Sequence, residues 1–260
     1  MIDTHCHIHD DNFELDADEV LEAAFQVGIQ GAICVGTDAA NSQLAIDFAA
    51  EREFVCAAIG LHPHDATKQD MDEIAKLASN EGVVAIGECG LDYYYDNSPR
   101  EAQQAVLRRH FEIAKDHDLP MIFHIRGKEP DSSDAYADFW RIFDEFKPRG
   151  VVHSFSAHSK QVDEIAERDL YFGVNGIATF AKPGPQQDAY KKIPIERLVL
   201  ETDAPLLTPV PYRGKINEPK YITTIQSFLA DLREDTTENI GKHTSRNASK
   251  LFSIVPKPAA

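Results

Sequence analysis

Eight short apolar runs, separated by segments of helical character, constrain the fold of this chain more than any other feature. They are MIDT (1–4), GAICVG (31–36), FVCAAIGL (54–61), VVAIGE (83–88), PMIFHI (120–125), RGVVHS (149–154), LYFGVN (170–175) and RLVLET (197–202). Short apolar runs alternating with helix-length segments read as the strands of a parallel sheet covered by helices. Eight such units are the number that a closed (β/α)8 TIM barrel requires. No linker, internal repeat or low-complexity segment divides the 260 residues, so a single domain is expected over residues 1–260. The last stretch, IVPKPAA (254–260), reads as a flexible tail.

The segments between the runs carry helix signals. Over 98–117, Ser98 suits the N-cap, Pro99 the first helical position, and Glu101 the third place of a capping box. Leu107, Phe111 and Ala114 then recur at the spacing of a buried face, and His110 on that face reads as a structural histidine. Asp47, Glu51 and Glu53 belong to a solvated surface, while the Pro- and Lys-bearing stretch 178–196 reads as a long active-site loop.

A barrel of this kind collects its chemistry at the C-terminal ends of its strands. Here His5 and His7 follow the first run, His62 and His64 the third, and Glu88 ends the fourth. His124 closes the fifth, His153 the sixth, and Asp203 follows the eighth. Any one of these alone is ordinary, since strand-end histidines and carboxylates often cap or orient backbone. Crowded onto one rim, however, so much imidazole and carboxylate would be very costly to bury without a cation, which predicts a metal centre. His5 and His7, two apart, point the same way in a strand and can chelate one ion. His9 shares their parity but lies about 7 Å further along an ideal strand, so it is read as a non-ligand. Glu201 and Asp203 also share parity, and Glu201 is read as an orienting group.

Together DTHCHI, GLHPH, GECGLDYYY, MIFHIR, VVHSFSA and LVLETDAPLLTPVPYRGKINEP, in this order from residue 1 to about residue 220, resemble the TatD-type metal-dependent hydrolases, a branch of the amidohydrolase-like barrels. The resemblance implies a metallo-dependent hydrolase barrel with two divalent ions, drawn from Zn, Mn, Mg, Ni, Co or Fe. Carried over residue by residue, His5, His7 and Asp203 would hold one ion, His124 and His153 the other, and Glu88 would bridge them. A water or hydroxide on the ions would be the nucleophile, with Asp203 as general base. The recurring GxHP segment makes His62 a substrate or transition-state contact, whereas His64 is equally suited to capping the next loop. Arg126, Arg213 and Lys215 read either as ligands of a substrate anion or as ordinary loop charge. Related binuclear enzymes often bridge their metals with a carboxylated lysine on strand four, but the fourth run here contains none. The chain departs from the family pattern at His9, Cys89 and Tyr95, beside the ligands, which bears on the shape of the substrate pocket.

The function expected from these features is hydrolysis of phosphodiester bonds at DNA ends. Ester or amide hydrolysis on the same site, as in a D-aminoacyl-tRNA deacylase or small-molecule amidohydrolase, is the alternative, and a non-catalytic metal-binding scaffold the third reading. Charge argues against a protein that slides on nucleic acid. The formal net charge is −17, and residues 1–98 hold three basic against 20 acidic side chains. Four cysteines without a CxxC pair fit a reduced, cytoplasmic protein. No signal segment or membrane span is expected, and nothing marks an obligate protein partner.

Overall fold

In the computed structural model, which describes residues 1–68, 70–129 and 131–258, every one of the eight runs overlaps a strand. These are β1 (Ile2–Cys6), β2 (Gly31–Val35), β3 (Val55–Ile59), β4 (Val83–Asp92), β5 (Met121–Arg126), β6 (Gly150–Val152), β7 (Tyr171–Val174) and β8 (Leu198–Leu200). All pair in parallel, in chain order. The chain just past β8 returns to β1, where the His7 amide donates to the Ala204 carbonyl at 2.7 Å and the Asp203 amide to that of His5 at 2.8 Å. The sheet therefore curls into a barrel. Helices α1 (Ala17–Gln26), α2 (Ala39–Ala50), α3 (Met71–Leu77), α4 (Arg100–His117), α5 (Ser133–Phe146), α6 (Ser159–Ala166), α7 (Pro185–Lys192) and α8 (Ile222–Arg233) follow the strands in turn, and α9 (Thr237–Phe252) follows α8. Among the described residues no helix is long and apolar enough to cross a membrane.

Strand alternation separates the core from the chemistry. Ile122, Val151 and Val199 belong to one buried cluster with inward residues of the other strands, floored by Ala248, Leu251 and Phe252 of α9. Two residues further along, the same parity presents His124, His153 and Glu201. The lower barrel is thus apolar and the upper rim polar, on the same strands. Outside, Leu107, Phe111 and Ala114 of α4 are buried as their spacing predicts, each large side chain contributing about 1.5–3 kcal/mol. His110 lies fully buried among them. Its Nδ1–H donates to the Val106 carbonyl at 2.9 Å, and its Nε2 accepts the Leu61 amide at 3.0 Å, so the histidine is structural.

Strand β4 is the exception to simple alternation. Its pairing with β5 shifts register between Ile86 and Cys89, and Gly87 and Gly90 both take φ of +152°. A Cβ on Gly90 would stand 1.9 Å from the His124 carbonyl oxygen, so only glycine allows β5 this close. The strand consequently runs past Glu88 to Asp92.

Three sequence expectations change. Ser98 does not cap α4: the N-cap is Pro99, and the Ser98 hydroxyl donates instead to the His64 carbonyl at 2.7 Å. Gln103, in the first turn of α4, holds both the amide and the carbonyl of Asp92, at 2.8 and 3.1 Å. Stretch 178–196 is not a long loop, because Pro185 and the residues after it wind into α7. In the tail, the Lys257 amide donates to the Gln30 carbonyl at 2.7 Å and its carbonyl accepts Gln30 Nε2 at 2.9 Å, so this part is pinned; Ala259 and Ala260 lie outside the described residues. Asp47, Glu51 and Glu53 are exposed, as expected.

Candidate metal centre

Strands β1, β4, β5 and β6 and the segment after β8 bring six side chains to one point. His5 and His7 Nε2 stand 3.1 Å apart. Asp203 Oδ1 lies 3.7 Å from the first and 3.4 Å from the second. Asp203 has a φ of +60°, a left-handed conformation that Asp tolerates better than most residues, and this turns its carboxylate towards the two rings.

Glu88 occupies the middle. Its Oε2 faces His5 Nε2 at 3.4 Å and His7 Nε2 at 3.9 Å. Its Oε1 faces His124 Nδ1 at 2.7 Å, His62 Nε2 at 3.5 Å and His153 Nε2 at 3.6 Å. Among the described residues three compact donor groups result: His5, His7 and Asp203; His5, Glu88 and His153; and His62, Glu88 and His124. The first coincides with a set carried over from the family pattern. The second set is divided, since His153 stacks on His5 at 3.7 Å between ring centroids and lies 6.3 Å from His124.

Polar contacts on the far side of His7, His153, His124 and His62 decide what these rings turn inwards. His7 Nδ1 lies 2.7 Å from the Val35 carbonyl, which can only accept, so the proton is on Nδ1 and Nε2 offers a lone pair. His153 Nδ1 sits 2.9 Å from Glu201 Oε1, an ion-pair contact that suits the orienting role read for Glu201 from its parity. His124 Nε2 donates to Asp92 Oδ2 at 2.9 Å, leaving Nδ1 to face Glu88. Lone pairs and carboxylate oxygens that converge like this repel one another until protons or a cation lie between them. The donor set therefore fits divalent metal. His62 differs, because its Nδ1 accepts the His64 amide at 3.2 Å and its Nε2 then carries the proton. It presents a donor, not a lone pair.

Protonation follows the same geometry. Burial works against charge on His153, but Glu201 and Glu88 push its pKa up to about 10. Burial likewise opposes charge on His124, yet Asp92 and Glu88 raise it to about 9. Burial would raise the Glu88 pKa, and the surrounding histidines instead hold it well below the usual carboxylate range. The rings thus hold protons that a metal must displace on binding.

Asp92 is the residue that sequence reasoning missed. Its Oδ2 takes His124 and His64 Nε2 at 2.9 and 3.1 Å, and its Oδ1 takes the Tyr94 and Tyr95 amides at 3.0 and 2.9 Å. An even spacing from Glu88 in GECGLD was the available signal. His64, left open from sequence, orients Asp92 and lines the cavity. His9 stands outside all three donor groups, with Nε2 on Asn41 Oδ1 at 3.2 Å.

Above these groups opens a cavity of about 1070 Å³, lined near its floor by His7, His62, Glu88, His124, His153 and Asp203. Tyr94, Tyr95, Arg126 and Lys128 line it further out. Arg213 and Lys215 do not line it: Arg213 lies over the Phe180 ring at 4.0 Å and Lys215 is 5.6 Å from the centroid of Tyr212.

A sequence model of the family described as TatD related DNase matches residues 2–253. The chain is 37% identical to the uncharacterized metal-dependent hydrolase YabD of Bacillus subtilis, over 98% of this chain and 99% of that protein. It is 32% identical to the 3'-5' ssDNA/RNA exonuclease TatD of Citrobacter rodentium, over the whole of both chains. The crystal structure of YJJV, a TatD homologue from Escherichia coli K12, superposes with a TM-score of 0.89 at 28% identity, over 98% of each chain.

Proposed function

The chain belongs to the TatD related DNase family, and from that membership we propose that it is a metal-dependent phosphodiesterase that removes nucleotides from single-stranded DNA ends. The observation that carries this reading is the division of Glu88, one oxygen towards His5 and His7 and the other towards His124, His62 and His153. A carboxylate shared between two imidazole sets is suited to bridging two divalent ions. His5, His7 and Asp203 would hold one and His124 and His153 the other, the ions being Zn, Mn, Mg, Ni, Co or Fe. Mixed imidazole and carboxylate donors suit the transition metals best. Such a pair would lower the pKa of water and stabilise charge on the attacked phosphoryl group.

The protein supplies the remaining chemistry. Burial would raise the Asp203 pKa, but the His7 hydrogen bond and the neighbouring rings hold it below the ordinary carboxylate value, so Asp203 is ionised and able to accept the proton of attacking water. His62, whose pKa burial lowers, is neutral near pH 7 and offers Nε2–H to a phosphoryl oxygen. Arg126 is suited to a neighbouring phosphate. The four free cysteines fit the cytoplasmic setting proposed here.

Metal-reconstituted protein incubated with end-labelled single-stranded DNA should release nucleotides, and Asp203→Asn and Glu88→Gln should each reduce the rate by at least about a hundredfold. Turnover of an ester, lactone and amide panel with no release from DNA would overturn the assignment in favour of carbonyl chemistry on the same site. Bound metal with no turnover of any of these would point to a scaffold.

A further inference from the structure

We propose that Tyr94, Tyr95 and Arg126 form a base-stacking platform at the cavity mouth, gripping one nucleobase next to the scissile phosphate and favouring a short single-stranded end over a duplex. This rests on the phosphodiesterase reading above.

The three consecutive tyrosines of LDYYY have different fates. Tyr93 is fully buried, with its hydroxyl on Asp138, whereas Tyr94 and Tyr95 are 52% and 54% exposed at the lip of a polar site. Their rings meet edge to face at 5.0 Å. The Arg126 guanidinium lies 4.3 Å from the Tyr94 centroid and 4.9 Å from that of Tyr95. Their backbone is rigid, since both amides donate to Asp92, the carboxylate that also orients His124. The platform and the proposed ligand are thus fixed by one side chain. Arg126 lies two residues beyond His124 on β5, about 7 Å along the strand, which is roughly the span of one extended nucleotide. A phosphate held there would bring its base against the exposed parts of the two tyrosine rings, and an aromatic face stacks any base.

Charge limits how much of a strand can be held. Arg126 and Lys128 are the cationic Arg and Lys side chains among the described cavity-lining residues, and Lys128 Nζ already lies 3.3 Å from Asp96. Arg126 has no carboxylate partner among the described residues. With one or two phosphates neutralised, affinity for a single strand should fall with a log–log salt slope of only about −0.7 to −1.4. Grip therefore comes from stacking near the end.

The test uses the metal-loaded full chain and five-nucleotide oligothymidylates, intact or carrying one abasic spacer at each position in turn. For the wild type, one spacer position next to the cleaved bond should raise KM by roughly five- to hundredfold with little change in kcat. In the Tyr94→Ala/Tyr95→Ala variant the intact and abasic KM values should converge, and in Tyr94→Phe/Tyr95→Phe the difference should return. Both side chains are more than half exposed, so the fold should tolerate these changes, which circular dichroism checks. The platform is overturned if the wild type cleaves every spacer substrate with unchanged KM, if the alanine variant still discriminates, or if the salt slope is steeper than about −2. Failure to cleave any oligonucleotide would overturn the phosphodiesterase reading itself.

Discussion

Replacing His110 with glutamine tests the link between a buried ring and the loop that carries His62. His110 is fully buried, and burial pushes its pKa down to about 4 from an ordinary value of 6.5. Its Nε2 must remain an acceptor for the Leu61 amide, and protonation would set two donors against each other. A folded-state pKa below the unfolded one means that the unfolded chain takes up the proton first. Stability is therefore intact above pH 6.5 and is lost as pH falls towards 4. A shift of about 2.5 units amounts to about 3 kcal/mol, most of it gone by pH 4. His110→Gln keeps one acceptor and one donor but cannot titrate. Urea unfolding of metal-free wild type and variant between pH 7.5 and 4 should show the difference in their stabilities moving by about 3 kcal/mol in favour of the variant at acid pH. Parallel pH curves would refute the reasoning.

Other expectations follow from the site. Gly90→Ala, which drives a Cβ to within 1.9 Å of the His124 carbonyl oxygen at a φ of +152°, should cost roughly 2–6 kcal/mol; a urea midpoint matching wild type would contradict the close approach. Glu201→Gln should weaken metal binding about 10- to 100-fold by loosening His153, read by chelator competition, and unchanged affinity would remove Glu201 from the support of that ring. His9→Ala should retain the metal content of the wild type by elemental analysis, since His9 lies in none of the donor groups; loss of an ion would make it a ligand.

Much of this was legible because the strands enforce alternation. Ile122 below His124, Val151 below His153, and Val199 below Glu201 and Asp203 are sequence patterns before they are geometry. Where alternation breaks, legibility ends. Asp92 was hidden because the glycine-bearing bulge of β4 carries the strand four residues past Glu88, its apparent end. Ser98 looked like a cap because a hydroxyl before Pro reads as one, yet the His64 carbonyl competes for it across the fold. The α7 helix was masked by flanking Pro, Gly and Lys, and its buried Ala189 and Tyr190 give it tertiary support. The neutral-donor form of His62 depends on an amide two residues away, which no spacing rule reports.

The apolar floor supplied by α9 has a consequence for biosynthesis. His5 and His7 are translated some two hundred residues before Asp203, and Phe252, which helps close the barrel beneath them, is translated later still. A nascent chain thus carries this proposed ligand pair through the synthesis of those residues without the partners that would complete the centre. Assembly of the proposed metal site is postponed until α9 has been translated, and truncated products lacking α9 should neither retain metal nor cleave DNA.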